Sequence, residues 1–208
     1  MPHQSSLSNP RQKLFDRFDR LGVPSETVDH PPIMTVDEGR DLKLTMPGRH
    51  TKNLFLKDKK GNLFLLSAHC DTVVDLVAFG KAVGAKGRLS FGKPELMIEI
   101  LGVAPGSVTP FALINADPAA LRAVAFDAAL FSGTAAEPDE DLGADPAQLP
   151  REGPRVWFHP LENTASTAIY PADLLLFARD CGFSPVLADF AGEAVQITTP
   201  EGAPIDTD

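Results

Sequence analysis

Cysteine is scarce in this chain of 208 residues, which has only Cys70 and Cys181. Two cysteines are too few for a disulfide framework, and these two form no Cys-x-x-Cys pair. The five histidines are scattered and lack the paired spacing of metal ligands. The sequence therefore predicts no metal site and no cofactor, and we expect both cysteines to be small, partly buried thiols.

Long apolar runs are also absent. No run approaches the roughly 18 residues that a membrane-spanning helix needs. The amino-terminal stretch MPHQSSLSNPRQKLFDRFDRLG has no continuous apolar segment like that of a secretory signal. An apolar content of 43% and a charged content of 23% are typical of a globular protein. We expect a cytoplasmic protein that does not contact a membrane.

Several catalytic signatures are missing from the chain. It contains no G-x-S-x-G nucleophile elbow, no P-loop and no G-x-G-x-x-G fingerprint. Isolated histidines are more often structural than catalytic. A hydrolase that uses a serine or cysteine nucleophile is therefore not expected.

The net charge of -9 hides a segregation of charge along the chain. Residues 40–93 carry eleven basic and four acidic side chains, a net charge of +7, so the rest of the chain carries -16. A polyanion could bind this basic stretch although the protein is acidic overall. The alternative is that these lysines scatter over several solvated surfaces.

Apolar spacing and turn residues predict an α+β domain with a mostly β core. Helices are predicted at 8–22, 35–42, 72–86, 93–103 and 171–182. Strands are predicted at 26–32, in a hairpin over 48–67, and at 107–115, 121–131, 156–160, 166–170 and 185–190.

Residues 1–190 are expected to form one domain, and two segments break the pattern. Residues 132–155 hold four prolines and many acids, which predicts an extended insertion loop outside the core. Residues 191–208 are expected to be a flexible tail.

A lysine on the apolar side of a predicted strand is the first candidate for chemistry. In the hairpin GRHTKNLFLKDKKGNLFLLS, Lys52 shares one face with Leu54 and Leu56, because side chains in a strand alternate with a period of two. Such a lysine can lay its stem along apolar surface and keep its charge in water. Alternatively, its ammonium points into a site at the mouth of the core.

Two further polar segments lie in apolar surroundings. Gly102 and Gly106 bracket the loop GVAPGS, whose backbone N–H groups could converge on a carbonyl or carboxylate; the alternative is an ordinary turn. His159 follows an aromatic strand, and Asn163 comes four residues later. The alternative for His159 is a strand-end histidine that bonds to the backbone.

Three segments in order, TKNLFLKD, LGVAPGSVTPFAL and FHPLENTAS, resemble the YbaK/ProX family of aminoacyl-tRNA deacylases. The resemblance covers about residues 10–190 and is greatest to freestanding relatives of the prolyl-tRNA synthetase editing domain that clear Ala-tRNA(Pro). It implies an α+β editing domain with a mixed, strongly curved, barrel-like β-sheet flanked by short helices. It also implies a pocket for the 3′ end of a charged tRNA.

The same resemblance implies roles for six residues. Lys52 falls on the functional lysine of the family's K-x-L-F-L pattern and is expected to be catalytic, by anchoring a terminal phosphate or ribose oxygen. Gly102 and Gly106 fall on the Gly-x-x-Pro-Gly loop, and the backbone from Gly102 to Ser107 is expected to hold the aminoacyl carbonyl. His159 falls where related editing domains use a histidine near the aminoacyl group. Asn163 matches a polar position after it.

An aminoacyl ester is already reactive, so orientation, water and oxyanion stabilisation are enough for hydrolysis without a covalent intermediate. The expected function is trans-editing of mischarged tRNA, foremost Ala-tRNA(Pro), with serine, cysteine or another small amino acid as open alternatives. Mischarged tRNA is the expected partner, and prolyl-tRNA synthetase is a candidate second partner. The alternative function is a non-catalytic tRNA-binding or regulatory module with the same fold.

Overall fold

The computed structural model describes residues 9–32, 45–132, 151–192 and 194–200. The helices in these ranges are α1 (Pro10–Leu21), α2 (Leu76–Ala82), α3 (Pro94–Leu96) and α4 (Pro171–Asp180). The strands are β1 (Glu26–Asp29), β2 (Arg49–Lys57), β3 (Leu63–His69), β4 (Ser90–Phe91), β5 (Leu121–Asp127), β6 (Val156–Phe158), β7 (Ala165–Ile169), β8 (Val186–Asp189) and β9 (Gln196–Thr198). None of these helices has the length and apolar character that a membrane crossing requires.

The strands form one mixed sheet in the order β1-β7-β6-β2-β3-β5-β8-β9, with β4 also paired to β2. Strand β2 runs antiparallel to β3 and parallel to β6, and β3 runs parallel to β5. The α+β class and the mixed sheet are therefore confirmed. The prediction of a strongly curved, barrel-like sheet is wrong, because β1 and β9 end the sheet without pairing with each other in the described ranges.

The sheet stays open because it buries both of its faces. Phe55 of β2 packs in a first core with Phe18 of α1 and Phe177 of α4. Leu56, the next residue of β2, packs in a second core with Phe79 of α2 on the opposite face. Burying a side chain of this size contributes about 1.5–3 kcal/mol. With a core on each face, the sheet does not have to close on itself to bury its apolar side chains.

Most predicted helices and strands are confirmed, and capping residues explain where helix α1 begins and ends. Helix α1 begins at Pro10 behind Asn9, whose side chain accepts the Arg11 N–H at 3.1 Å. It ends at Gly22, which has a left-handed φ of 63°. The helix predicted at 93–103 is α3 continued by a π-helical turn, Met97–Leu101.

The strand predicted at 107–115 is wrong, because this segment contains a 3-10 helix, Pro110–Ile114. Its first residue is proline, and the Thr109 hydroxyl accepts the Phe111 N–H at 3.2 Å, an arrangement that begins a helical turn. Within the predicted tail, β9 pairs with β8, so residues 196–198 belong to the sheet rather than to a frayed end. The helix predicted at 35–42, residues 133–150 of the predicted insertion and residues 201–208 lie outside the described residues.

Candidate functional site

Lys52 lies in the first half of β2 and is half-buried. Its ammonium donates hydrogen bonds to the backbone carbonyls of Cys70, at 3.1 Å, and Thr72. An ammonium has three N–H donors, so one remains for a ligand. No carboxylate of the described residues forms an ion pair with Lys52, and its charge is therefore available to an anion.

The loop after β3, whose carbonyls accept hydrogen bonds from Lys52, is fixed in place by Asp127, a buried residue at the end of β5. One carboxylate oxygen of Asp127 accepts the His69 N–H at 3.1 Å and the Thr72 hydroxyl. The other oxygen accepts the Ala129 N–H at 2.9 Å. Asp127 was not predicted as a site residue. Its one sequence signal is a single acid at the end of an apolar strand.

The strand that carries Lys52 is a neighbour of the strand that precedes His159. His50 of β2 pairs with Trp157 of β6 in parallel register, and the two rings stack at 6.4 Å. Lys52 and His159 each follow this pair by two residues, but β6 ends at Phe158 and the pairing does not extend to His159. The two predicted site residues therefore leave the sheet from neighbouring strands.

The imidazole of His159 is arranged to stay neutral. Burial lowers its pKa below the usual 6.5, the hydrogen bond to the Ala165 carbonyl raises it, and the nearby His30 lowers it. The two imidazole rings lie 6.2 Å apart. Nδ1 donates to the Ala165 carbonyl at 3.0 Å, which leaves Nε2 as a hydrogen-bond acceptor. A neutral acceptor can bind a hydroxyl or a water molecule.

His30 and Ser166 form a buried pair next to His159. Nδ1 of His30 donates to the Pro31 carbonyl at 2.8 Å, so Nε2 accepts the Ser166 hydroxyl at 3.0 Å. A serine hydrogen-bonded to histidine has the geometry of an activated nucleophile. Ser166, however, lies within β7 and is only 7% exposed, so an ester has little access to its oxygen.

In the glycine loop, residues 102–107, two backbone N–H groups already donate hydrogen bonds to nearby carbonyls. Gly102, at a φ of 65°, ends the π-helical turn and donates its N–H to the Ile98 carbonyl at 3.1 Å. The Ser107 N–H donates to the Ala104 carbonyl at 3.0 Å. These two amides are therefore occupied within the loop. The loop's remaining exposed glycine, Gly106, is better placed to meet a ligand.

Gly106 and Asn163 are brought together, although 56 positions separate them in sequence. A Cβ on Gly106, which has a φ of 87°, would lie 3.7 Å from Nδ2 of Asn163. The turn before Asn163 contains Leu161, the one non-glycine residue in the described ranges with a positive φ, 69°. Its N–H donates to the His159 carbonyl at 2.9 Å. This strained turn links the histidine to the glycine loop.

Two polar groups that were not predicted complete the site. Asn53 of β2 pairs with Ser67 of β3 in the antiparallel register. The Oδ1 atom of Asn53 and the hydroxyl oxygen of Ser67 are buried without a hydrogen-bond partner in the described part of the chain. Buried polar atoms normally have a partner. Both atoms are closed to solvent, and Ser67 is 0% exposed, so a ligand reaches this pair only when the side chains that cover it move. The sequence signal was Ser67 itself, a polar residue inside the apolar run LFLLSAH.

The candidate residues approach the sheet from both of its faces. Lys52 lies on the same face of β2 as Leu54 and Leu56, which pack with the second core. Asn53 lies on the other face of β2, together with Phe55. Val103 of the glycine loop packs with Phe55 in the first core. A ligand that contacts both sets must lie at the end of the sheet where β2 begins and β3 ends.

One cluster could contact a metal ion. Ligand atoms of His69, Cys70 and Asp71 lie within 4.8 Å of one another. Three ligands are one fewer than a structural zinc site uses. Nδ1 of His69 also accepts the Asp71 N–H at 3.2 Å, which competes with metal binding.

Residues 30–139 match the model of the aminoacyl-tRNA editing domain. The chain belongs to the aminoacyl-tRNA editing domain family. Within this family it is similar to prolyl-tRNA synthetase associated domain-containing protein 1 of Mus musculus, with 31% identity over 185 residues, covering 88% of this chain and 98% of the relative.

Two other similarities were found, one in sequence and one in fold. The prolyl-tRNA editing protein ProX of Acetoanaerobium sticklandii is 28% identical over 115 residues, covering 55% of this chain and 70% of ProX. The crystal structure of hypothetical protein APE2540 has a TM-score of 0.60 at 17% identity, covering 85% of this chain and 97% of that one. The editing-domain match includes Lys52 and the glycine loop, whereas His159 and Asn163 lie beyond it.

Proposed function

We propose that this protein hydrolyses the ester of mischarged tRNA in trans, and that Ala-tRNA(Pro) is its main substrate. The family and the name of the relative ProX support this class of reaction. The observation that carries the proposal is in the first half of β2. Within the described part of the chain, Lys52 forms no ion pair, and Oδ1 of the next residue, Asn53, is buried without a hydrogen-bond partner. A charged tRNA end offers an anion and an ammonium, the two groups that these side chains can bind.

Each group has a role in the proposed reaction. Lys52 holds a terminal phosphate or ribose oxygen, and the exposed backbone at Gly106 holds the aminoacyl carbonyl. Nε2 of His159 accepts a hydrogen bond from the attacking water or from the neighbouring ribose hydroxyl. Water adds to the carbonyl carbon, the bond from that carbon to the ribose oxygen breaks, and a proton passes to the ribose oxygen. The products are a free amino acid and uncharged tRNA.

Selection of the amino acid is assigned to the first-core face of the site. The Asn53 and Ser67 oxygens accept hydrogen bonds from the α-ammonium once the side chains that cover them have moved, and Asn163 closes the site beside Gly106. A pocket that fits the methyl group of alanine excludes the larger proline ring by steric clash. Favourable contacts with extra methylene groups alone would discriminate by only about 1–3 kcal/mol.

The test is a deacylation assay with the full chain. The proline-specific tRNA, tRNA(Pro), is charged in turn with alanine, serine, cysteine and proline and incubated with the protein, and the remaining ester is measured over time. We expect the alanyl ester to disappear fastest and the prolyl ester to persist. If every ester decays at its uncatalysed rate while tRNA still binds, the protein is a non-catalytic tRNA-binding module and the proposal fails. Adding prolyl-tRNA synthetase to the same assay tests it as a partner.

A further inference from the structure

A cavity of about 300 Å³ lies beside α2, on the second-core face of the sheet and outside the ester site. Its wall is apolar and its rim is basic. The residues that line it are Leu76, Val77, Lys81, Ala85, Gly87 and Arg88. This combination suits a ligand with a flat apolar part and an anionic part.

Five basic residues around this cavity are outside the ion pairs of the described ranges, although Asp75 at the start of α2 attracts Lys81 electrostatically. Lys81, Lys86 and Arg88 are exposed, as are Lys59 and Lys60 of the hairpin turn between β2 and β3. In the described ranges, none of these five forms an ion pair. Their mutual repulsion is relieved when an anion binds.

A buried aspartate places the two basic turns side by side. Asp58 accepts the N–H groups of Lys60, Asn62 and Lys86 at 2.8–2.9 Å. Desolvation raises the pKa of Asp58, but these hydrogen bonds and one from the Asn62 side chain outweigh it and lower the pKa to about 2. A Cβ on Gly87 would lie 3.2 Å from the Cβ of Lys59. These hydrogen bonds fix the backbone of the two turns, and therefore the positions from which their basic side chains extend.

The cavity is also close to the candidate ester site. The carbonyl of Thr72 holds Lys52, and Leu76, four residues later, begins the cavity wall. Four residues span at most about 14 Å, the length of about four stacked nucleotides. Val73, between the two sites, is 88% exposed, and Val77 in the cavity wall is 56% exposed. An RNA strand whose end lies at Lys52 can reach the cavity along this apolar path.

We infer that this cavity binds a nucleotide of the tRNA acceptor strand, with the base against Val77 and the phosphate between Lys81 and Arg88. The inference rests on the proposed function, because it assigns a second contact to the same substrate. It separates two tasks: the ester site at β2 selects the amino acid, and the cavity contributes affinity for RNA.

Binding of uncharged tRNA is the first test, because it does not depend on hydrolysis. The variants are Lys81→Ala, Arg88→Ala, the double variant and Val77→Asp. The control is Lys13→Ala, which removes an exposed cation from α1 on the opposite face. We expect each cavity variant to weaken tRNA binding about tenfold or more, since each removes or repels a charged contact. Each lost cation should reduce the slope of log K against log salt by about 0.7. The control should change neither quantity.

Hydrolysis of two substrates is the second test. Alanyl-tRNA has the acceptor strand, and 3′-O-alanyl adenosine has only the terminal nucleoside. We expect the double variant to raise KM for alanyl-tRNA and to leave the hydrolysis of alanyl adenosine unchanged. If the wild type hydrolyses neither substrate but the binding results hold, the proposed function fails and the cavity assignment stands.

Two outcomes overturn the inference. One is wild-type tRNA affinity and salt dependence in the double variant. The other is a wild type that binds adenosine monophosphate tightly and a double variant that loses this binding while it keeps wild-type tRNA binding. The cavity would then bind a free nucleotide. All substituted side chains are on the surface, and far-UV circular dichroism with thermal melting confirms that each variant is folded.

Discussion

Replacing Lys52 with methionine tests the central residue of the site, because methionine keeps an apolar stem of similar length and removes the charge. A strand-end lysine that only reached solvent would change stability by at most about 0.5 kcal/mol on mutation. The structure indicates a larger effect, since the ammonium donates to the carbonyls of Cys70 and Thr72. Hydrogen bonds from a charged donor contribute about 1.5–3 kcal/mol each when buried. Lys52 is only half-buried, so we expect Lys52→Met to cost about 2 kcal/mol in total.

A loss of this size is measurable and leaves the protein folded. For a domain of this length it corresponds to a fall in Tm of about 4–8 °C. Removing the charge should slow deacylation by about a hundredfold or more, as for other groups that stabilise charge in a water-poor site. Urea denaturation gives the stability, and single-turnover deacylation of Ala-tRNA(Pro) gives the rate. Lys13→Met, on the opposite face, is the control for loss of one positive charge.

The two readouts separate the roles of Lys52. If Lys52→Met loses stability but deacylates at the wild-type rate, the ammonium only fastens the loop after β3 and the catalytic role is refuted. Lys52→Arg should restore part of the stability and little of the activity, because the planar guanidinium does not fit a site shaped for a compact ammonium. Asp127→Asn, which loosens the same loop, should be non-additive with Lys52→Met if the two residues act as one unit.

Three further predictions concern His159, Ser166 and Asp58. Because burial lowers the pKa of His159 in the folded protein, neutral His159 stabilises the fold above pH 6.5. This stability should be lost as the pH falls through the folded-state pKa, and denaturation midpoints measure the loss. The variant His159→Gln should not show it. Ser166→Ala should deacylate within a few-fold of the wild type, whereas a loss of about a thousandfold or more in a rate assay would show that Ser166 is a nucleophile. The lowered pKa of Asp58 predicts stability that is present above pH 4 and lost as the pH falls towards about 2; Asp58→Asn should lack this loss in acid titrations followed by circular dichroism.

Alternation along β2 was enough to place Lys52 on the face of Leu54 and Leu56, and the structure confirms that face. The spacing did not reveal what the ammonium contacts. Its partners are backbone carbonyls in the loop after β3, and no side-chain pattern encodes the path of a loop backbone. The same limit applies to Asn53 and Ser67, since their pairing depends on the hairpin register.

The two errors in the predicted fold have different causes. The segment 107–115 has the apolar content of a strand, but Pro110 and the capping Thr109 favour a helical turn. The barrel-like sheet came from the family resemblance and not from a pattern in the chain. In the structure, Phe55 and Leu56 show why the sheet is open: adjacent residues of one strand enter separate cores.

The alternation of Lys52 and Asn53 on β2 also has a consequence for how such a protein can diversify. The two side chains leave the same strand in opposite directions, so the sheet separates the groups assigned to RNA from those assigned to the amino acid. Substitutions on one face leave the side-chain contacts of the other face in place. A lineage could therefore change the amino acid that it removes without losing its tRNA, or change its tRNA while keeping its amino acid.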